Sequence, residues 1–370
     1  MQNFWQKLHK PIFCLAPMAD VTDCAFRTII AKYGKPDVFW TEFVSADGLA
    51  HPKAREKLLI DFKFGQEERP IVAQIFGGNG DNIREASKLI RELGFDGIDI
   101  NMGCPDKKVE KQKAGAYCTK DPKLAREIIR SAKEGGESAG WRMPVSVKTR
   151  LGYNKVDFDF IKEILKEDLS ALTIHLRTRK EMSDVPAHWE LMPEILKIRD
   201  RVAPNTLIIG NGDVLDLDDG RRKCEEYGCD GVMLGRAIFG NPFLFTNKNV
   251  LSESEGQELF ATKQEASLKK HENFLLKIFS VRRRHSSQGF SQELPVSTQE
   301  KLGVMVEHTK LFESMLGNPP AGGKNFAIMK KHYKAYVNGF NGAKELRMKL
   351  MGAENAKEVR NIVDKFLVRY

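Results

Sequence analysis

Along the first 248 residues one pattern recurs: a short, almost wholly apolar run ends in glycine or a polar residue, and an amphipathic stretch follows. The runs are Ile12–Leu15, Val38–Thr41, Ile71–Ile75, Gly97–Asn101, Val145–Thr149, Ala171–His175, Leu207–Asn211 and Gly231–Leu234. Apolar runs that alternate with helical periodicity every ~30 residues predict a buried parallel sheet. The intervening helices carry their own signals: one runs from Asp81 to Leu93 after Gly80, and Asp121-Pro122 caps another over Lys123–Lys133. Eight such units in about 250 residues predict a (β/α)8 TIM barrel rather than a doubly wound sheet, which rarely needs eight. Gly77-Gly78-Asn79-Gly80 lacks the third glycine of a dinucleotide-binding turn, so a Rossmann site is not expected.

After Phe245 the strand pattern stops. Helical periodicities cover Glu265–Arg284, Thr298–Leu316, Phe326–Val337, Ala343–Met351 and Ala356–Val368. The expected organisation is a barrel over 1–248 and a smaller all-helical domain over 249–370. With 41% hydrophobic and 29% charged residues, the chain can bury a large core and is not a disordered tail. No run reaches the ~18 apolar residues of a membrane span, and Met1–Lys7 lacks a secretory pattern, so a cytoplasmic location is expected. Six cysteines without a CxxC exclude a disulfide scaffold and the common zinc modules, and no metal is expected. The net charge of +9 is uneven. Residues 249–370 hold 20 Lys and Arg against 13 Asp and Glu, a net +7, and residues 1–248 hold 39 against 37, a net +2. That imbalance points to a polyanionic partner, nucleic acid before an anionic membrane.

In a barrel the chemistry collects at the C-terminal ends of the strands. Those ends read Ala16-Pro17-Met18, Glu42, Gln74, Asn101 with Gly103-Cys104-Pro105, Lys148, His175, Asn211-Gly212-Asp213 and Gly235-Arg236. Each has a bland explanation alone; a polar residue at nearly every rim position is not a packing solution. The loops after strands seven and eight, with Gly212, Gly235 and Arg236, suit a phosphate. Gln74, Lys148 and His175 suit the polar edge of an isoalloxazine ring. Cys104, between glycine and proline at the mouth, is read as a general acid, with a thiolate nucleophile and a structural thiol as the alternatives. Cys14, Cys24, Cys118, Cys224 and Cys229 are expected to be small buried core residues.

Taken together, Ala16-Pro17-Met18-Ala19-Asp20-Val21-Thr22-Asp23, Gln74-Ile75-Phe76-Gly77, Asn101-Met102-Gly103-Cys104-Pro105, Val147-Lys148-Thr149-Arg150-Leu151-Gly152, His175-Leu176-Arg177-Thr178-Arg179, Asn211-Gly212-Asp213 and Gly235-Arg236-Ala237 resemble the tRNA-dihydrouridine synthases. Lys331-His332-Tyr333 through Leu346-Arg347 resembles, more weakly, the helical tRNA-binding domain of that family. The resemblance implies an FMN- and NADPH-dependent oxidoreductase (EC 1.3.1.-) that reduces the 5,6 double bond of a uridine in tRNA. It implies hydride transfer from flavin N5 to C6 and protonation of C5 by Cys104. It further implies non-covalent FMN contacts from Pro17, Met18, Gln74, Lys148, His175, Asn211, Asp213, Gly235 and Arg236, with Lys148 and His175 also catalytic. Substrate contacts would come from Asn101, Arg177, Lys330, Lys331 and Lys334, and a monomer is expected. Lys269-Lys270, Arg282-Arg283-Arg284 and Lys324 are further phosphate-contact candidates. Nicotinamide and uridine would take turns at one ring face, the base being flipped out to reach it. Two positions depart from the family pattern: Leu176 replaces a glycine, and His188 replaces an acidic residue before Trp189. The rival readings are a barrel flavoenzyme of the dihydroorotate dehydrogenase type, which leaves the basic helices without a purpose, and an inactive tRNA-binding protein.

Overall fold

Eight short strands, dense in Ile, Val and Leu, form the framework of the computed structural model, which describes residues 3–138, 140–246, 297–317 and 322–369. They are β1 (Ile12–Leu15), β2 (Phe39–Trp40), β3 (Ile71–Phe76), β4 (Gly97–Met102), β5 (Val145–Arg150), β6 (Ala171–His175), β7 (Leu207–Asn211) and β8 (Gly231–Leu234). All pair in parallel, in the order β1-β8-β7-β6-β5-β4-β3-β2. A parallel bridge between Cys14 and Val38 draws β1 and β2 together and nearly closes the ring. The architecture is the expected (β/α)8 barrel followed by helices.

The second strand is shorter than its apolar run. Only Phe39–Trp40 is regular; Val38 makes the closing bridge, and Val44–Ser45 pairs separately with Ile75 and Phe76. The exposed hairpin of Glu137–Ser138 with Trp141–Arg142 has two residues a side and no apolar alternation to announce it.

The helices between strands are α1 (Cys24–Tyr33), α2 (Gly80–Glu92), α3 (Pro122–Gly135), α4 (Phe158–Leu165), α5 (Met192–Val202) and α6 (Leu217–Tyr227). Their starts follow capping chemistry: Asp23, Asn79, Asp121, Asp157 and Asp216 each accept a backbone N–H of the first turn, and Pro122 stands at the start of α3. Their apolar faces and the outward strand residues make one large core.

Among the described residues four helices follow: α7 (Thr298–Leu316), α8 (Met329–Tyr336), α9 (Ala343–Met351) and α10 (Ala356–Leu367). They bury Leu302, Met305, Phe312, Tyr333, Leu346 and Val359 in a second core that also takes in Cys24, Ala25 and Ile29 of α1. The C-terminal helices and the barrel therefore share a core. The described residues of the barrel and those from 298 onward belong to one compact unit. The expected helix Glu265–Arg284, with Lys269-Lys270 and Arg282-Arg283-Arg284, lies outside the described residues. Among the described residues no helix is long and apolar enough to cross a membrane.

Candidate active site

Successive residues of a strand face opposite sides, so each barrel strand sends every second residue inward. The inward residues at the N-terminal ends are apolar: Ile12, Cys14, Trp40, Val72, Ala171, Ile209 and Met233 pack around Trp5 and stopper the barrel. One step further along, the inward residues turn polar. Gln74 stands beside Asp99, Asn101 beside Lys148, Arg150 beside His175, and His175 beside Asn211. The polar layer therefore lies at the C-terminal mouth.

A buried relay crosses one side of that layer. The Ser146 hydroxyl donates to Asp99 Oδ1 at 2.5 Å, and Gln74 Nε2 donates to Asp99 Oδ2 at 2.6 Å. Asn101 Nδ2 donates to Gln74 Oε1 at 3.0 Å, and Asn101 Oδ1 accepts the N–H groups of Gly103 (3.1 Å) and Cys104 (2.9 Å). Asn101 therefore sets the turn that carries the thiol. The far side of that turn is held by Ala116 N–H on Cys104 O, and Gly115 (φ +60°) lies so close that a Cβ there would come 2.7 Å from that oxygen. Cys104 is partly exposed and packs with Phe43, Phe76, Val109 and Ala114. Burial raises its thiol above the ordinary value despite Arg150 nearby, so the proton stays on sulfur at neutral pH. Asp99 is fully buried, which pushes its carboxyl up to about 6 against the pull of Ser146, Gln74 and Lys148.

The opposite side is cationic. Lys148 Nζ donates to Asn211 Oδ1 at 3.2 Å, and Asn211 Nδ2 donates to Met233 O at 2.7 Å. Burial, then the Arg150 charge, lowers Lys148 to about 8. His175 lies between Lys148, Arg150 and Arg177; burial first and those charges next push it down to about 2, so the ring is neutral. Arg177 Nη1 approaches His175 Nε2 at 3.1 Å. A guanidinium only donates, so Nε2 is the acceptor and Nδ1 carries the proton. Arg177 also donates to Val185 O at 2.5 Å and pairs with Asp213, whose other oxygen takes Arg236 Nη2 at 2.6 Å. Burial opposes ionisation of Asp213, and the two guanidiniums outweigh it and hold the carboxyl below its usual range. Gly212 (φ +120°) and Asp213 (φ +51°) shape this loop, and a side chain at Gly235 would meet Met18 Sδ only at 4.0 Å.

The mouth thus brings together Met18, Gln74, Asn101, Cys104, Lys148, His175, Arg177, Asn211, Asp213, Gly235 and Arg236, with Pro17 on the adjoining turn. Arg177 is 2% exposed and spends its donors inside the protein. Lys330, Lys331 and Lys334 are on α8, where Lys331 reaches Asp20 of the mouth at 3.3 Å. Lys324 does not present itself to a polyanion: its side chain is 10% exposed and pairs with Glu42 and Asp61, because the loop before α8 turns into the barrel. The five other cysteines are buried, as their apolar surroundings predict. Leu176 is buried in the main core, and His188 is held by Glu181 and Glu190 at 3.1 Å each, so both departures are accommodated locally. Asp99 was missed by motif reading. Its signal is in the sequence nonetheless: in Gly97-Ile98-Asp99-Ile100-Asn101 a carboxylate occupies the inward phase of a core strand.

These donors fit a flavin mononucleotide. Lys148 is hydrogen-bonded to an amide oxygen, and around Asp213 the two guanidiniums of Arg177 and Arg236 exceed the single negative charge. That leaves room for an anionic group beside Gly212 and Gly235. A neutral imidazole donor and two amides line the rest.

The family model described as Dihydrouridine synthase (Dus) matches residues 14–287. The chain is 40% identical over its full length to the probable tRNA-dihydrouridine synthase 2 of Bacillus subtilis (strain 168), covering 98% of that protein. It is 39% identical to a probable tRNA-dihydrouridine synthase of Staphylococcus epidermidis, covering all of this chain and 97% of the relative.

Proposed function

The chain belongs to the dihydrouridine synthase family, and on that premise we propose that it reduces the 5,6 double bond of uridines in tRNA to dihydrouridine in the cytoplasm, with non-covalent FMN as cofactor and NADPH as reductant. FMN, when bound, supplies two-electron transfer between the nicotinamide and the uracil ring.

The protein's own groups divide the remaining work. Gly212, Gly235 and Arg236 would hold the phosphate, with Asp213 keeping Arg236 and Arg177 in place. Gln74, Lys148, His175 and Asn211 would meet the polar edge of the ring. His175 offers a neutral Nδ1–H, and Lys148 remains mostly protonated at pH 7 and offsets negative charge that develops beside it. Pro17 and Met18 close the apolar side. Cys104 delivers a proton to C5 of the uracil, which needs an S–H rather than a thiolate.

The observation that carries this reading is the Cys104 thiol on a turn set by Asn101, opposite a cationic rim across one barrel mouth. A uridine reaches such a depth only when flipped from the folded tRNA. Lys330, Lys331 and Lys334 of α8 would bind the surrounding phosphates.

The test is retention of FMN by the purified protein, together with dihydrouridine mapped by position in tRNA from a strain lacking the gene. Arg236→Ala should weaken FMN retention; a protein that binds no FMN when supplied with it refutes the cofactor assignment.

A further inference from the structure

Lys324 is the one cation of the described C-terminal region that enters the barrel mouth with its side chain nearly buried. Its ammonium pairs with Glu42 and, at 2.7 Å, with Asp61. The Glu42 side chain is 5% exposed, and its Oε1 accepts the backbone N–H of Asp20 at 2.5 Å. Asp20 has φ +55°, a left-handed conformation uncommon for a residue with a side chain. It sits in a compact turn: Val21 and Thr22 N–H both donate to Met18 O, and the Thr22 hydroxyl accepts Met18 N–H at 2.9 Å. That turn sets Met18 against Gly235 of the proposed phosphate loop. A continuous line of contacts thus leads from Lys324 through Glu42 and Asp20 to Met18. Lys331 adds a second tie to Asp20, but both partners are half-exposed and the pair is weak.

We propose that Lys324 is a positioning residue for the cofactor: it anchors Glu42 inside the mouth, and Glu42 in turn holds the Asp20 N–H and fixes the Pro17–Met18 turn. The inference rests on the FMN reading above. A buried carboxylate without a counter-charge takes up a proton. A neutral acid then accepts an N–H less strongly than a carboxylate. The surroundings sharpen this dependence. Asp23 is also buried, with Oδ2 unpartnered among the described residues, and it shares the Lys324 charge with Glu42 and Asp61 while Arg27 adds its own. Burial raises Glu42 to about 7 even with Lys324 in place. The C-terminal helices would therefore help shape the cofactor site while carrying none of its contacts.

The test compares wild type, Lys324→Met and Lys324→Met/Glu42→Gln by FMN affinity and by amide exchange of residues 18–22 without ligand. Lys324→Met should weaken FMN binding by about three- to thirtyfold and speed exchange at Asp20. The double variant keeps a neutral amide oxygen for the Asp20 N–H and needs no counter-charge, so both readouts should return toward wild type. Wild-type exchange and affinity in a folded Lys324→Met protein overturn the proposal, as does a double variant impaired as much as the single one. If the wild type itself binds no FMN, the cofactor reading fails, and exchange at Asp20 alone then decides whether Lys324 holds the turn.

Discussion

Five neighbours set the surroundings of Cys104: Asn101 fixes its N–H, Gly115 allows Ala116 to hold its carbonyl, and Phe43 and Phe76 partly desolvate its sulfur. Desolvation favours the thiol, and a general acid works while it holds its proton. The rate of uridine reduction relative to flavin reduction should therefore stay level through neutral pH and fall as pH rises through the elevated thiol value. NADPH-dependent flavin reduction, which the thiol does not serve, should lack that limb. Parallel pH profiles of the two half-reactions would make Cys104 a structural thiol. This residue was legible from its loop, since glycine and proline beside a cysteine at a strand end are an uncommon packing choice. Its supports were less legible. Asp99 and Ser146 act through Gln74 and Asn101 across three strands, and only the register brings them into line.

At the scale of elements, strand periodicity marked the barrel because buried parallel strands are apolar on both sides. The two-residue strands escaped because so short a pairing carries no period. Likewise, the helical pattern of 298–370 showed its helices but not their partner. Nothing local in Cys24, Ala25 and Ile29 tells that α1 turns its outer face to α7 and α8. Within that shared core the rings of His308 and His332 lie 4.6 Å apart, and Phe26 packs on both. Burial depresses both imidazoles, His332 to about 3. Their folded values lie below the unfolded 6.5, so the unfolded chain binds protons first and stability is lost as pH falls from 6.5 toward 3. His332 contributes about 1.4 kcal/mol per pH unit in that window, and His308 acts in the same direction. Thermal melts between pH 7 and pH 5 should show the loss. His308→Phe should flatten it without lowering stability at pH 7, because both ring nitrogens of His308 lack partners among the described residues. An unchanged slope would remove this pair from the acid response.

For the whole molecule, the uneven charge foretold a polyanion, but single lysines could not be sorted from sequence. Lys324 is nearly buried in ion pairs, whereas Lys331 and Lys334 on α8 are exposed. Lys330→Glu/Lys334→Glu should weaken tRNA binding and reduce the slope of log K against log salt by about two. An unchanged slope would move the tRNA to another face. The shared core also means that removing the C-terminal helices would expose apolar residues of α1, so point changes test tRNA binding more cleanly than truncation. The proposed function has this barrel pass electrons from NADPH to a uridine while Cys104 supplies the proton. Its most direct test is a single turnover: protein loaded with FMN, reduced by NADPH and freed of excess nicotinamide, is mixed with tRNA lacking dihydrouridine. Wild type should form dihydrouridine as the flavin reoxidises, and Cys104→Ala, reduced equally well, should form it about 10²–10⁴-fold more slowly. Equal rates in the two proteins, or no dihydrouridine from reduced wild type, would contradict it.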